Sequence, residues 1–200
     1  MAKIKHTKNA LKAERDSLKR FRRYLPTLLL KKQQLQSELR NIEAQMDEKA
    51  AASRAIEADL SHWVKLFAQP VDFEALLRVK DVPMTEGNIA GVAIPVIQDV
   101  VFERNMPDLY SSPLWVDDGF DVLEKLVRLL IERSVLGEQY LRLSEELRTT
   151  SQRVNLFEKV KIPECERNIR TIRIFLGDMQ TAEVARAKIA KSKAPGEEAA

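Results

Sequence analysis

The chain has 200 residues, 44% hydrophobic, 32% charged and 6% aromatic, with six glycines. That balance leans toward rods rather than globules, because little is left for a sheet-rich or enzyme-like core. Lys and Arg number 33 against 30 Asp and Glu, a net charge of +3, so the chain as a whole does not carry the charge of a nucleic-acid binder and any basic surface must be local.

The single Cys165 rules out a disulfide framework and a cysteine zinc cluster. The uncharged stretch 88–98 contains Gly91 and Pro95 and is shorter than the roughly 18 residues a membrane-spanning helix needs. The first residues alternate charged and apolar types and lack an export core. A cytoplasmic chain without direct membrane insertion is expected.

Five of the eight prolines fall between residues 70 and 113, dividing the chain into a helical arm, a broken middle and a second helical arm. In the first arm, 1–69, slots spaced alternately by three and four residues run from Leu11 through Leu18, Leu25, Leu35, Ile42 and Leu60 to Trp63 and Phe67. Thirteen of the seventeen are apolar, the exceptions being Glu14, Lys32, Lys49 and Ser53. Such a repeat keeps one narrow stripe facing a partner helix, the seam of a left-handed coiled coil. The other positions are rich in Lys, Arg, Glu, Gln and Ala, which favour helix and leave the remaining faces wet. Pro70 is expected to stop the arm, and Pro26 to bend it.

The middle, 70–113, reads as strand: Val79, Val82, Ile89, Val92, Ile94, Val96 and Val100 are β-branched, and a chain reversal is expected between Gly87 and Pro95. A lone hairpin is marginal, so it should lie against the arms or a partner.

Ser112 and Pro113 suit the cap and first turn of the second arm, 114–190. Its seam runs from Trp115 through Leu126, Leu136, Leu143, Leu147 and Val154 to Phe157. There the phase slips by one residue, resuming at Ile162, Cys165, Ile169, Ile172, Leu176 and Met179, and Pro163 at the slip should bend the helix. The tail 191–200 has nothing apolar to bury. Because neither arm is stable on one narrow stripe, the fold expected is mainly α: a long antiparallel two-helix coiled coil with a central β-hairpin.

The sequence carries no phosphate-cradling glycine loop, no HExxH, no paired cysteines and no nucleophile elbow. His6 and His62 lack carboxylate partners in sequence and read as solvated or seam-edge residues. No catalytic residue, cofactor or metal ligand is therefore predicted. Charge is uneven: residues 1–35 hold eleven Lys or Arg against Glu14 and Asp16, and residues 167–193 hold seven against Asp178 and Glu183. Antiparallel pairing brings these stretches together into one basic end. No aromatic interleaving or recognition module accompanies them, so a nucleic-acid partner is not expected.

Specific residues add a family resemblance. Arg153-Val154-Asn155-Leu156-Phe157-Glu158, then Ile162-Pro163 and Ile169, Arg170, Ile172 and Arg173, resembles the RVNALE and IP pattern in the C-terminal arm of the D subunit of V-type or A-type ATPases and ATP synthases, particularly bacterial ones. Thr7-Lys8-Asn9 and Leu25-Pro26-Thr27-Leu28 are similar to the first arm of that family, and Asn88-Ile89-Ala90-Gly91-Val92 with Pro95 to its hairpin. Phe157 stands where the family commonly has Leu.

The resemblance implies a central-stalk rotor shaft without catalytic groups, peripheral to the membrane. Its paired ends would enter a hexamer of catalytic A and B subunits, the F subunit would clasp its middle, and a socket, the C or d subunit, would hold its far end above the membrane ring. The shaft would couple ATP hydrolysis or synthesis to proton or sodium transport. Lys8, Lys12, Arg15, Lys19, Arg22, Arg173 and Arg186 become the expected hexamer contacts. A prefoldin-like chaperone, which also joins coiled-coil arms through hairpins, and a plain coiled-coil tether are the alternatives.

Overall fold

A computed structural model describes residues 5–62, 65, 76–105, 113 and 115–193. Helix α1 spans Lys8–Leu60, strands β1 Leu77–Asp81, β2 Met84–Ile89, β3 Val92–Ile97 and β4 Val101–Arg104 follow, then helix α2 Val116–Asn155, a π-helical turn Leu156–Lys161, and helix α3 Ile162–Lys193. The chain is thus mainly helical, with paired helices and an antiparallel strand region in the middle. It divides into two compact units, one made of residues 1–30 and 150–200 and the other of residues 31–149.

Thr7 starts α1: its side-chain oxygen accepts the N–H of Ala10 at 3.2 Å, satisfying one of the donors a helix start leaves open. The helix continues through Pro26. It ends at Leu60, where the N–H of His62 reaches back to Asp59 O at 3.3 Å and Ser61 Oγ donates to Ala58 O at 2.7 Å. Those short-range bonds use up the last carbonyls and close the helix. Trp63, Phe67, Pro70 and Ser112 lie outside the described residues, as does 194–200.

All fifteen seam slots from Leu11 to Leu60 are buried or half-buried, the polar ones included. Glu14 accepts from Asn168 at 3.2 Å, Ser53 donates to Glu57 at 3.0 Å, and Lys49 lies 2.7 Å from Glu132. Glu14, Lys49 and Ser53 therefore each have a compensating partner, as a low-dielectric seam favours.

In the unit 31–149, Leu35, Leu39 and Ile42 of α1, Leu143 of α2 and Ile94 of β3 form the buried cluster, with Met46, Ile89, Ala90, Val92, Leu136, Tyr140 and Leu147 packed around it. Pairings of Lys31 with Glu146 at 2.6 Å and Lys49 with Glu132 fix the antiparallel sense of α1 and α2. Leu126 is half-buried in the same helix.

The middle is more than one hairpin. β2 and β3 pair around the two-residue turn Ala90–Gly91, and β1 pairs with β4 outside them. Both turn residues have positive φ, 51° and 80°, the twist that two-residue hairpins favour. Asn88 Oδ1 accepts the N–H of Gly91 at 2.9 Å and closes the turn. Pro95 pairs opposite Glu86, and its carbonyl, like that of Ala93, faces away from β2 and takes a side-chain donor of α2, from Gln139 and Arg142 respectively. At such an outward-facing position the missing proline N–H costs the ladder nothing. The outer pair is tied to α2 by Arg104, which bonds Asp121 at 2.7 Å and Glu124, and by Arg128, which bonds Asp99 at 2.8 Å and stands over the Phe102 ring.

In the unit 1–30 with 150–200, Val154, Cys165, Ile169 and Ile172 are buried, and Leu11, Leu18, Leu25 and Leu176 are half-buried. Met179, an expected seam residue, is 45% exposed. From Asp178 onward all of α3 is exposed, because α1 begins only at Lys8 and leaves that length without a neighbour among the described residues.

The seam slip beside Pro163 takes the form of a π turn. The N–H of Ile162 bonds Phe157 O, an i to i−5 link that inserts one residue without breaking the helix. The one-residue slip in the seam and the π turn are the same feature. Arg153, Val154 and Asn155 end the helix before it, and Ile162 and Pro163 begin the helix after it.

Candidate functional site

Arg15, Lys19 and Arg22 stand at i, i+4 and i+7 on α1, and Glu166, Arg170 and Arg173 at the same intervals on α3. Helical periodicity puts each set on one face. Within the unit that holds both segments, these faces border a cleft of about 890 Å³ with Leu18, Ile169 and Ile174 as its apolar lining. Leu18 and Ile169 are seam residues, so the coiled coil itself supplies the floor.

Arg22 Nη2 donates to Glu166 Oε1 at 2.6 Å, and both side chains are largely open to water. Glu166 is the cleft's one carboxylate against five cations. Four guanidinium groups and one ammonium therefore leave a strongly positive surface beside apolar ground. Such an arrangement can bind carboxylates or phosphates through paired N–H donors.

Of the seven residues expected to touch a hexamer, Arg15, Lys19, Arg22 and Arg173 line this cleft. Lys8, Lys12 and Arg186 are exposed and are not among its lining residues. Arg170 and Glu166 are missing from the expected set, although their spacing of three and seven from Arg173 is open to inspection. The hairpin residues Asn88, Ile89, Gly91, Val92 and Pro95 belong to the other unit, where Asn88 and Gly91 close the turn and Ile89 and Val92 pack against the cluster of Leu35, Leu39 and Leu143.

His6 sets its ring 4.8 Å from that of Phe175, and Cys165 is buried. Burial pushes the Cys165 thiol up to about 11, with Glu14 adding to the shift. A thiol so raised is packing material at neutral pH rather than a nucleophile. Among the described residues no group of three His, Cys, Asp or Glu could hold a metal ion, and no helix is long and apolar enough to cross a membrane.

The family model that describes the ATP synthase D subunit matches residues 10–192. The chain is 47% identical to the V-type ATP synthase D subunit of Borreliella burgdorferi, over 96% of this chain and 95% of that protein. It is 35% identical to the protein of the same name from Chlamydia caviae over 96% of this chain and 94% of that one, and 35% identical to that of Chlamydia trachomatis over 96% of each. The match takes in both helical segments of the cleft, the strand region and the π turn, and on it the chain belongs to the family of ATP synthase D subunits.

Proposed function

We propose that this chain is the central-stalk shaft of a V/A-type rotary ATPase or ATP synthase, transmitting torque between a hexamer of catalytic A and B subunits and an ion-conducting membrane ring. It supplies no catalytic group. The F subunit and the socket, the C or d subunit, complete its partners, and the chain stays on the cytoplasmic side, peripheral to the membrane.

The observation that carries this reading is the match of the D-subunit family over residues 10–192, laid on paired helices whose outer faces are charged. A shaft must resist twisting and must turn inside its sleeve without sticking. A continuous seam serves the first need, because each buried slot opposes rotation of one helix about the other. Exposed charges serve the second, since their contacts are weak and readily exchanged, whereas desolvated apolar contacts would trap one orientation. The basic cleft is then where the shaft biases the hexamer's interfaces.

The test is reconstitution. The chain is mixed with a purified A and B hexamer, with and without F, and co-elution and steady-state ATPase are recorded. Stable incorporation that changes ATP turnover and is lost when residues 1–30 and 170–200 are removed is the expected result. A folded chain that does not enter a hexamer from a matched source would overturn the shaft reading.

A further inference from the structure

We propose that the basic cleft is a docking site for an acidic peptide segment carrying an apolar side chain, and that Glu166 is a built-in competitor for that segment. The shaft reading gives this contact its setting, but the binding chemistry stands on the cleft alone.

Arg15, Lys19, Arg170 and Arg173 make no ion pair among the described residues, while Arg22 is held by Glu166 at 2.6 Å. Guanidinium groups pair with carboxylates through two parallel N–H bonds, a geometry that ammonium groups do not reproduce. Four of the five cations are arginines, which suits a carboxylate partner.

The floor decides between partners. Ile169 is buried in the seam, Leu18 is half-buried, and Ile174 remains 57% exposed beside the arginines. A free phosphate or polyphosphate would leave that apolar ground wet. A peptide with glutamates and a leucine satisfies both kinds of surface at once, and burying the leucine on Ile174 contributes area-dependent stabilisation that phosphate lacks.

Glu166 already performs the recognition on a small scale. It is a carboxylate, it lies in the cleft, and it occupies one arginine. Its pair with Arg22 is exposed, 61% and 48% at the two side chains, so it is a weak contact that an incoming carboxylate displaces easily. Holding one arginine in reserve lowers the affinity for the segment and speeds its release. A contact that must be made and broken at each step of a turning shaft needs a fast off-rate more than a low Kd.

The test uses the full chain and a fluorescein-labelled hexapeptide of alternating glutamate and leucine, followed by anisotropy at low and moderate salt. An all-glutamate hexapeptide and tripolyphosphate serve as comparisons. The alternating peptide is expected to bind most tightly, with affinity falling as salt rises. Glu166→Gln should bind it about three- to five-fold tighter, the range an exposed ion pair supports. Arg170→Glu with Arg173→Glu should weaken it by about tenfold or more, since two attractions become repulsions. Equal affinity of wild type and Glu166→Gln would remove the competitor role. Equal or tighter binding of tripolyphosphate or of the all-glutamate peptide would overturn the peptide reading. Intact peptide binding by a chain that fails to enter the hexamer would sink the shaft proposal alone, and incorporation without peptide binding would sink this one alone.

Discussion

The ring of Phe157, inside the π turn, lies against that of Phe21 on α1, with centroids 5.0 Å apart and planes at 49°. The extra residue of the returning chain is thus pinned beside a seam residue of α1 in the same unit. Five positions separate Phe157 from Ile162, and the i to i−5 bond between them lets both face the seam. The π turn exists because the spacing demands it.

Deleting one exposed residue of this turn, Glu158, should restore the alternating spacing of three and four and convert the π turn to α-helix. Helicity and the thermal midpoint are expected to hold or rise. Deleting Glu145 instead rotates one side of α2 by about 100° and turns buried Leu143 or Val154 toward water, a loss of about 2 kcal/mol or more for each such side chain. Circular dichroism melts of the two deletions check this. Equal damage from both would mean that the turn is required for more than register.

Leu143 is fully buried among Leu35, Leu39, Ile42 and Ile94, where two helices and a strand meet. Leu143→Ala should cost about 2–5 kcal/mol, the transfer term plus a cavity that three elements cannot all collapse to fill. Leu143→Asp should abolish cooperative folding of the unit, because an unpaired carboxylate there has no partner within the cluster. Urea titrations followed by helicity measure both. A small loss for the aspartate would show that the seam face is misassigned.

The helix pairing was legible because a 3.5-residue repeat over many turns leaves each helix one dry stripe, and from Leu11 to Leu60 every slot is buried or half-buried. The slip after Phe157 was equally legible, and a spacing of five is itself the mark of a π turn. The second strand pair was not legible. β1 and β4, Leu77–Asp81 and Val101–Arg104, are mostly exposed, so the short Leu77, Val79 alternation of β1 and the Val101–Phe102 pair of β4 do not say that the two strands pair with each other. What places them is Arg104 and Arg128 reaching Asp121, Glu124 and Asp99 across long stretches of chain, and such pairings leave no local periodic signal. The cleft was half legible for the same reason: the basic residues stand out in sequence, whereas the carboxylate that occupies Arg22 is 144 residues away.

Gly87 sits on β2 where an added methyl carbon would lie 2.8 Å from Val96 Cγ2 and 3.4 Å from Ile94 Cγ1. Val96 is β-branched and cannot swing its methyl aside freely. Gly87→Ala is therefore expected to destabilise the hairpin by about 1–3 kcal/mol, the usual cost of overpacking. Adding Val96→Ala should recover most of that loss, giving a coupling between the two sites that a thermal-melt double-mutant cycle reads directly. Additive losses would place the strain elsewhere.

Cys165 provides a pH test of the seam. Its thiol ionises near 9.0 when free and is pushed up to about 11 in the fold, first by burial and then by Glu14. A raised pKa means that the folded state holds the proton more tightly than the unfolded one, so the associated stability is complete below pH 9 and drains away as pH rises from 9 toward 11. Other groups titrate in that range, and comparison with Cys165→Ala subtracts them. The urea midpoints of the two proteins should differ most at pH 7–8, with wild type the more stable because the alanine leaves a small void in the seam. The difference should shrink steadily between pH 9 and 11, by at most about 1.4 kcal/mol per pH unit. A gap that stays constant across that window would show that the thiolate is tolerated in the folded seam, and would require water to reach Cys165 between α1 and α3.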